Sequence, residues 1–264
     1  MSTRALRADG RWAGSVTSRA LPDSSEELAA LSPSLRGTLA RVWWMQAATE
    51  ARVATSFALV HRSLVELGAD AGLIAIAERA IDDEHRHAAL CEELAQRYAG
   101  RALPPSPALP HTHPAHEAAR TPDERAALYV VGQCALNETL ACAYLRLARS
   151  RCTSPLARAA IRELFEDEVD HSRLGWAFLG SVSAPLRARI EAWLLPLCVC
   201  NLREWLSLAE AEGLALEEHG VPSPEPLREA LHEAMRGLIL PGFAHVGLDT
   251  RALERWSREG LSVS

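Results

Sequence analysis

Apolar residues recur at helical spacing along most of the chain, and the breaks between the helical stretches are sharply marked. One pattern runs from about Leu35 to Leu67, where Gly68 ends it, and Asp70 can cap a second that continues through Tyr98. The pairs Ser32-Pro33, Thr121-Pro122, Ser154-Pro155 and Ser223-Pro224 mark helix starts, because the hydroxyl caps free N–H groups while proline fits the first turn. The Pro- and His-rich stretch 100–116 cannot be helical and has the length of a crossover between two helical hairpins. A second hairpin then runs from Pro122 to about Ser150 and from Pro155 to about Gly180. A fifth helix is expected after Pro185 toward Gly213, a sixth near Leu227 to Leu238, and a short one after Asp249. The expected organisation is an N-terminal extension over 1–32, a four-helix bundle over 33–182, and a C-terminal helical extension over 183–264 packed on the bundle.

Composition agrees with an all-α fold. The 264 residues are 48% hydrophobic and 23% charged, and Ala, Leu, Arg and Glu dominate. A net charge of -6 provides no broad basic surface, so no nucleic-acid partner is expected. Six cysteines (Cys91, Cys134, Cys142, Cys152, Cys198, Cys200) form no CxxC pair and read as reduced, mostly buried residues. With no apolar leader core and no apolar stretch of membrane-crossing length, the expectation is a soluble cytoplasmic protein with no membrane partner.

The chemistry lies in where Glu and His recur. Glu50 falls in the middle of the first helix, Glu84-x-x-His87 in the second, Glu138 in the third and Glu168-x-x-His171 in the fourth. The separations are 34 (84 minus 50) and 30 (168 minus 138), so the two hairpins repeat one layout. Residues three apart project from one helix face, so each Glu-His pair can reach one metal. The apolar neighbours Ala77, Ala80, Cys91 and Tyr98 flank Glu84, and Val131, Cys134, Cys142 and Leu145 flank Glu138, which puts these carboxylates within the buried stripe. Four inward carboxylates require cations, because an unpaired buried carboxylate costs several kcal/mol. Four carboxylates and two imidazoles suit two iron ions, with manganese or a mixed pair as alternatives. A third pair, Glu229-x-x-His232, faces away from Leu227, Leu231, Ala234, Met235 and Leu238 and reads as a solvent-side coincidence.

Asp83 and Asp167 each precede a chelating Glu and are placed to accept the second N–H of a ligating imidazole across the bundle; two ordinary surface acids are the alternative. Arg86 and Asp170 occupy equivalent places in the two pairs and suggest an outer ion pair. Gln46, Cys134 and Cys142 lie one turn from ligand positions and are candidates for a pocket lining. Ala47, Ala54, Ala80, Ala135, Ala141 and Gly175 either let helices approach or leave room for a ligand. His61 reads as a satisfied core histidine in preference to a channel residue, and His111 and His113 as linker residues in preference to a metal tract.

Glu50, Asp83-Glu84-His85-Arg86-His87, Glu138 and Asp167-Glu168-Val169-Asp170-His171 together resemble the ligand set of the ferritin-like di-iron carboxylate superfamily, over roughly Leu35 to Gly180. The second pair departs from the D-E-x-R-H form, with Asp170 where Arg would stand. Rubredoxin-like cysteine pairs are missing, which argues against an ordinary rubrerythrin. Arylamine N-oxygenases carry a further His at the place of Leu164. The resemblance implies a ferritin-like four-helix bundle with a crossover connection and additional C-terminal helices. It implies O2 and a small organic substrate as reactants, an electron-donor protein as partner, and it is compatible with a homodimer. The leading expectation is a non-haem di-iron oxygenase or oxidase. The alternatives are a ferroxidase, peroxide-reducing or iron-handling protein without organic substrate, and a helical interaction protein whose metal serves structure alone.

Overall fold

A computed structural model describes residues 20–110, 118–212 and 216–262, so His111 and His113 lie outside the described residues. Regular structure among them is helical, and the β-type pairing they contain is a single bridge between Leu216 and Val221. A short helix α1 (Ser25–Ala30), not anticipated within the N-terminal extension, precedes α2 (Pro33–Glu66) and α3 (Ala71–Ala99). The third bundle helix is composite: α4 (Pro122–Val130), a π-helical segment Val131–Asn137, then α5 (Glu138–Arg151). The fourth is α6 (Pro155–Ser181).

The hydroxyls of Ser32, Thr121 and Ser154 accept from the backbone N–H of Leu35, Glu124 and Ala157, which fixes three of the four helix starts. Asp70 caps α3 through Gly72 N at 2.7 Å, and α3 ends at Gly100, whose φ of 67° is left-handed. α2 packs on α3 and α4, α3 on α6, and α6 on α5 and the π segment, closing a ring of four.

Two apolar clusters fill this ring, one on each side of a polar layer. Phe57, Ala80, Ala135 and Leu174 belong to one; Ala47, Leu90, Leu145 and Leu164 belong to the other. Glu50, Glu84, His87, Glu138, Glu168 and His171 fall between these positions on their helices, and all six are buried. No helix is long and apolar enough to cross a membrane among the described residues.

The C-terminal helices share the first of these clusters through Leu197, Leu231 and Phe243. The expected fifth helix is two, α7 (Ala184–Glu191) and α8 (Leu194–Glu212), separated at Trp193, whose indole N–H donates to Glu124 at 2.9 Å. The expected sixth helix starts at Pro224 and continues past Leu238: α9 (Pro224–Ala234) passes through a π turn, Met235–Ile239, into α10 (Leu240–His245). That turn widens the helix just ahead of Pro241, which has no N–H to give, and it rotates Leu238 outward to 55% exposure, so Leu238 leaves the inner face expected of it. A last helix, α11 (Arg251–Arg258), follows Asp249, which accepts from Arg251 N at 2.9 Å.

Candidate metal centre

The four bundle helices bring all six candidate ligands together. Ligand atoms of Glu50, Glu84, His87 and Glu168 lie within 4.8 Å of one another, as do those of Glu138, Glu168 and His171. Glu168 belongs to both groups. Each histidine turns Nδ1 toward the two central carboxylates. His87 Nδ1 is 3.5 Å from Glu84 Oε2 and 3.7 Å from Glu168 Oε1, while His171 Nδ1 is 3.1 Å from Glu84 Oε1 and 3.1 Å from Glu168 Oε2. Glu84 and Glu168 therefore each present one oxygen to either imidazole, with Glu50 on the His87 side and Glu138 on the His171 side.

The opposite ring nitrogens meet the aspartates across the helix pair. His87 Nε2 lies 3.0 Å from Asp167 Oδ2, and His171 Nε2 lies 3.5 Å from Asp83 Oδ2. Both aspartates are tied by one guanidinium: Arg86 donates to Asp83 Oδ1 at 2.7 Å, to Asp167 Oδ2, and to Glu163 at 3.2 Å. The expected Arg86–Asp170 pair is not formed; Asp170 instead meets Arg79 and Arg173 on the surface, because α3 and α6 cross with Arg86 facing Asp167. Among the described residues, no arginine pairs with Glu50, Glu84, Glu138 or Glu168.

The two outer carboxylates are held by side-chain amides. Gln46 Nε2 donates to Glu50 Oε1 at 2.6 Å, and Gln133 Nε2 donates to Glu138 Oε1 at 2.5 Å, with Asn137 Nδ2 adding a 3.3 Å contact. Glutamine stands four residues before Glu50 but five before Glu138, since the π segment inserts one residue in that turn. π segments concentrate at functional positions for this reason: they re-aim a side chain without ending the helix. The close approach of α6 to this segment requires Gly175, where a Cβ would sit 2.2 Å from Ala135 N. Gly175 thus serves helix contact, not ligand space.

Charge in the metal-free cluster is balanced by protons. Burial, then the charge of Glu84, raises the Glu50 carboxyl well above its ordinary range; burial, then Glu168, does the same to Glu138. Burial works against ionisation of Glu84 as well, but the imidazoles of His171 and His87 outweigh it and hold this carboxyl at about 2. Burial opposes the charged imidazoles too, yet Asp167 and Glu84 carry His87 to about 10, and Glu168 and Asp83 hold His171 well above its usual value.

The donor set fits divalent cations. Both oxygens of Glu84, Nδ1 of His87 and Nε2 of His171 are buried without a hydrogen-bond partner, three of them facing the space between the carboxylates. Carboxylate oxygens with imidazole nitrogens suit several divalent metal ions. The Glu/His group is thus a buried site able to hold metal.

Cys134 is buried and Cys142 sits 4.0 Å from Ser172; burial first, then neighbouring glutamates, holds both thiols protonated, Cys142 at about 12. His61 is half-buried on α2. Glu229 is exposed, as expected, but His232 is half-buried with Nε2 enclosed, so this pair is not wholly on the solvent side. A cavity of about 310 Å³ lies between α2, the π segment and α8, with Arg52, Gln133, Asn137, Trp193 and Asn201 in its wall. Gln46, Cys134 and Cys142 do not line it. It escapes a sequence reading because α8 closes it from a distant part of the chain; the Gln-to-Glu spacings of four and five are the one local hint.

Comparison with known protein families finds no family model that matches this chain, and comparison with curated proteins finds no match either.

Proposed function

We propose that this protein is a di-iron carboxylate oxidoreductase on a ferritin-like bundle, using O2 to oxidise a small organic molecule. The observation that carries the proposal is the pair of overlapping ligand groups: Glu168 is common to both, and Glu84 offers one oxygen toward each imidazole. One ion would take Glu50 and His87, a second Glu138 and His171, with Glu84 and Glu168 between them.

The ferritin-like topology is supported by the order in which the helices cross the polar layer. α2 and α6 run from the Ala47–Leu164 cluster toward the Phe57–Leu174 cluster; α3 and α4–α5 run the other way. Consecutive helices α3 and α4 then share one direction, as in bundles with a crossover connection.

Bound iron supplies the electrons for O2 activation and the Lewis acidity that the side chains lack. The residues of the chain provide the rest. Asp167, fixed by Arg86, keeps His87 Nε2 occupied so that Nδ1 points inward as a neutral donor, and Asp83, fixed by the same guanidinium, faces His171 Nε2 at 3.5 Å and favours the same ring orientation there. Gln46 and Gln133 hold the outer carboxylates. The apolar clusters on either side of the layer exclude bulk water, which strengthens charge interactions there. The cavity beside Gln133 favours an organic substrate over iron handling alone.

Anaerobic Fe(II) titration followed by rapid mixing with O2, watched by absorption and Mössbauer spectroscopy, tests this function. Two irons per chain that are oxidised together, with O2 uptake stimulated by an organic molecule, support it. Iron that stays ferrous under O2 would refute it.

A further inference from the structure

All the imidazole-orienting groups, Asp83, Arg86 and Asp167, come from α3 and α6, whereas the 310 Å³ cavity opens beside α2 and the π segment, which lead to the outer carboxylates. The cavity wall reaches Glu138 through two amides, since Gln133 and Asn137 both line the space and both donate to Glu138 Oε1. Asn137 is clamped from the far side by Trp205, whose indole N–H donates to its Oδ1 at 3.0 Å. The cavity is therefore bolted to Glu138 on one side and to α8 on the other.

The wall itself defines a ligand. Val53, Leu128, Leu197 and Trp193 give it an apolar body, and its volume falls at the low end of the ~300–1,000 Å³ range for small-molecule sites. Gln133 commits one N–H to Glu138, and Asn201 commits one Nδ2 N–H to Leu197 O at 2.9 Å. Each amide retains its carbonyl oxygen as an acceptor. Arg52 and Glu204 pair at 3.6 Å at the more exposed rim and neutralise one another, so the opening selects for no net charge.

We propose that this cavity is the substrate pocket, and that it takes a small uncharged molecule with an apolar body and one hydroxyl or amino N–H/O–H donor, accepted by the amide oxygens of Gln133 and Asn201. For its chemistry this rests on the proposed di-iron function; for binding it does not. Gln133 and Asn137 are positioning residues through which an occupant is felt at Glu138.

Phenol is a suitable probe, with anisole as the methylated partner that cannot donate. Calorimetric titration of the metal-free full chain is expected to give phenol an affinity about fivefold above anisole, the effect of one net hydrogen bond. Asn201→Leu is expected to reduce that preference, leaving Gln133 as the one remaining amide acceptor of the proposed pair. Gly132→Leu fills the cavity, since a Cβ there meets only Leu197 at 3.7 Å, and abolishes binding of both while the near-ultraviolet circular dichroism stays native. Phenol binding no tighter than anisole, or natively folded Gly132→Leu that binds as the parent does, overturns the assignment. In the Co(II)-loaded chain, phenol is expected to shift the visible ligand-field bands, and Gln133→Leu to remove the shift; bands indifferent to bound phenol overturn the link to Glu138. Failure of Co(II) to bind at all overturns the metal reading instead, and leaves the pocket to be judged by the metal-free isotherms.

Discussion

Replacing Gly175 with alanine should destabilise the protein, although alanine is the better helix former. A Cβ at this position would lie 2.2 Å from Ala135 N, 2.4 Å from Cys134 C and 2.7 Å from Ala135 Cα, all backbone atoms that no rotamer change can move aside. Overpacking of this kind costs typically ~1–3 kcal/mol, and rigid backbone on the opposing face puts the cost near the upper end, about 3 kcal/mol. Helix propensity returns about 1 kcal/mol. The net loss is about 2 kcal/mol, a fall in Tm of roughly 4–8 °C for a chain of this size. Gly180, on the same helix, has nothing within 4 Å of its Cβ position, so Gly180→Ala should raise Tm slightly. Thermal melts of the two variants by circular dichroism decide the matter. A Gly175→Ala protein at least as stable as the parent would refute the close contact between α6 and the π segment.

Metal binding should release protons, because imidazole must be neutral and carboxyl ionised to ligate. In the metal-free protein His87 is raised to about 10 and His171 well above its ordinary value, so both carry protons at pH 7 that a cation displaces. Affinity for Mn(II) then rises as pH is raised toward that of His87, and calorimetry in buffers of different ionisation enthalpy should show about two protons per chain leaving the imidazoles, with more from the raised carboxyls of Glu50 and Glu138; heats independent of the buffer contradict this. Arg86→Met leaves Asp83 and Asp167 without their shared guanidinium, and Mn(II) affinity should drop about 10–100-fold, while unchanged affinity removes Arg86 from the site. Glu138→Ala and His171→Ala should each lower bound metal per chain, measured by elemental analysis after desalting; full metal content in both variants counts against the ligand assignment.

Much of the bundle was legible because its signals are local. Ser32, Thr121 and Ser154 cap through their own side chains, and Gly68 and Gly100 adopt the positive φ that ends a helix. The Glu and His positions were legible for a related reason: charged residues in an apolar stripe stand out along one helix. Ser223 resembles the other three starts, yet makes no side-chain cap. What escaped depends on distant parts of the chain. The π segment costs one residue of register and leaves helical periodicity nearly intact, so beyond the five-residue Gln133-to-Glu138 spacing it is its packing against Gly175 that reveals it. The equivalent places of Arg86 and Asp170 in the two hairpins suggest an ion pair, but the partners of Arg86 are decided by how α3 crosses α6. The turn at Trp193 and the outward swing of Leu238 follow from a hydrogen bond to Glu124 and from accommodation of Pro241, neither of which periodicity reports.

The central claim is that divalent cations, between Glu84 and Glu168, neutralise the buried carboxylates. An anomalous difference map at the iron edge, from crystals grown anaerobically with Fe(II), measures this directly. Two peaks are predicted, one within reach of Glu50 and His87 and the other of Glu138 and His171, both touching Glu84 and Glu168. A featureless map at this layer, with the four glutamates contacting only protons, amides and imidazoles in an iron-saturated solution, would contradict it.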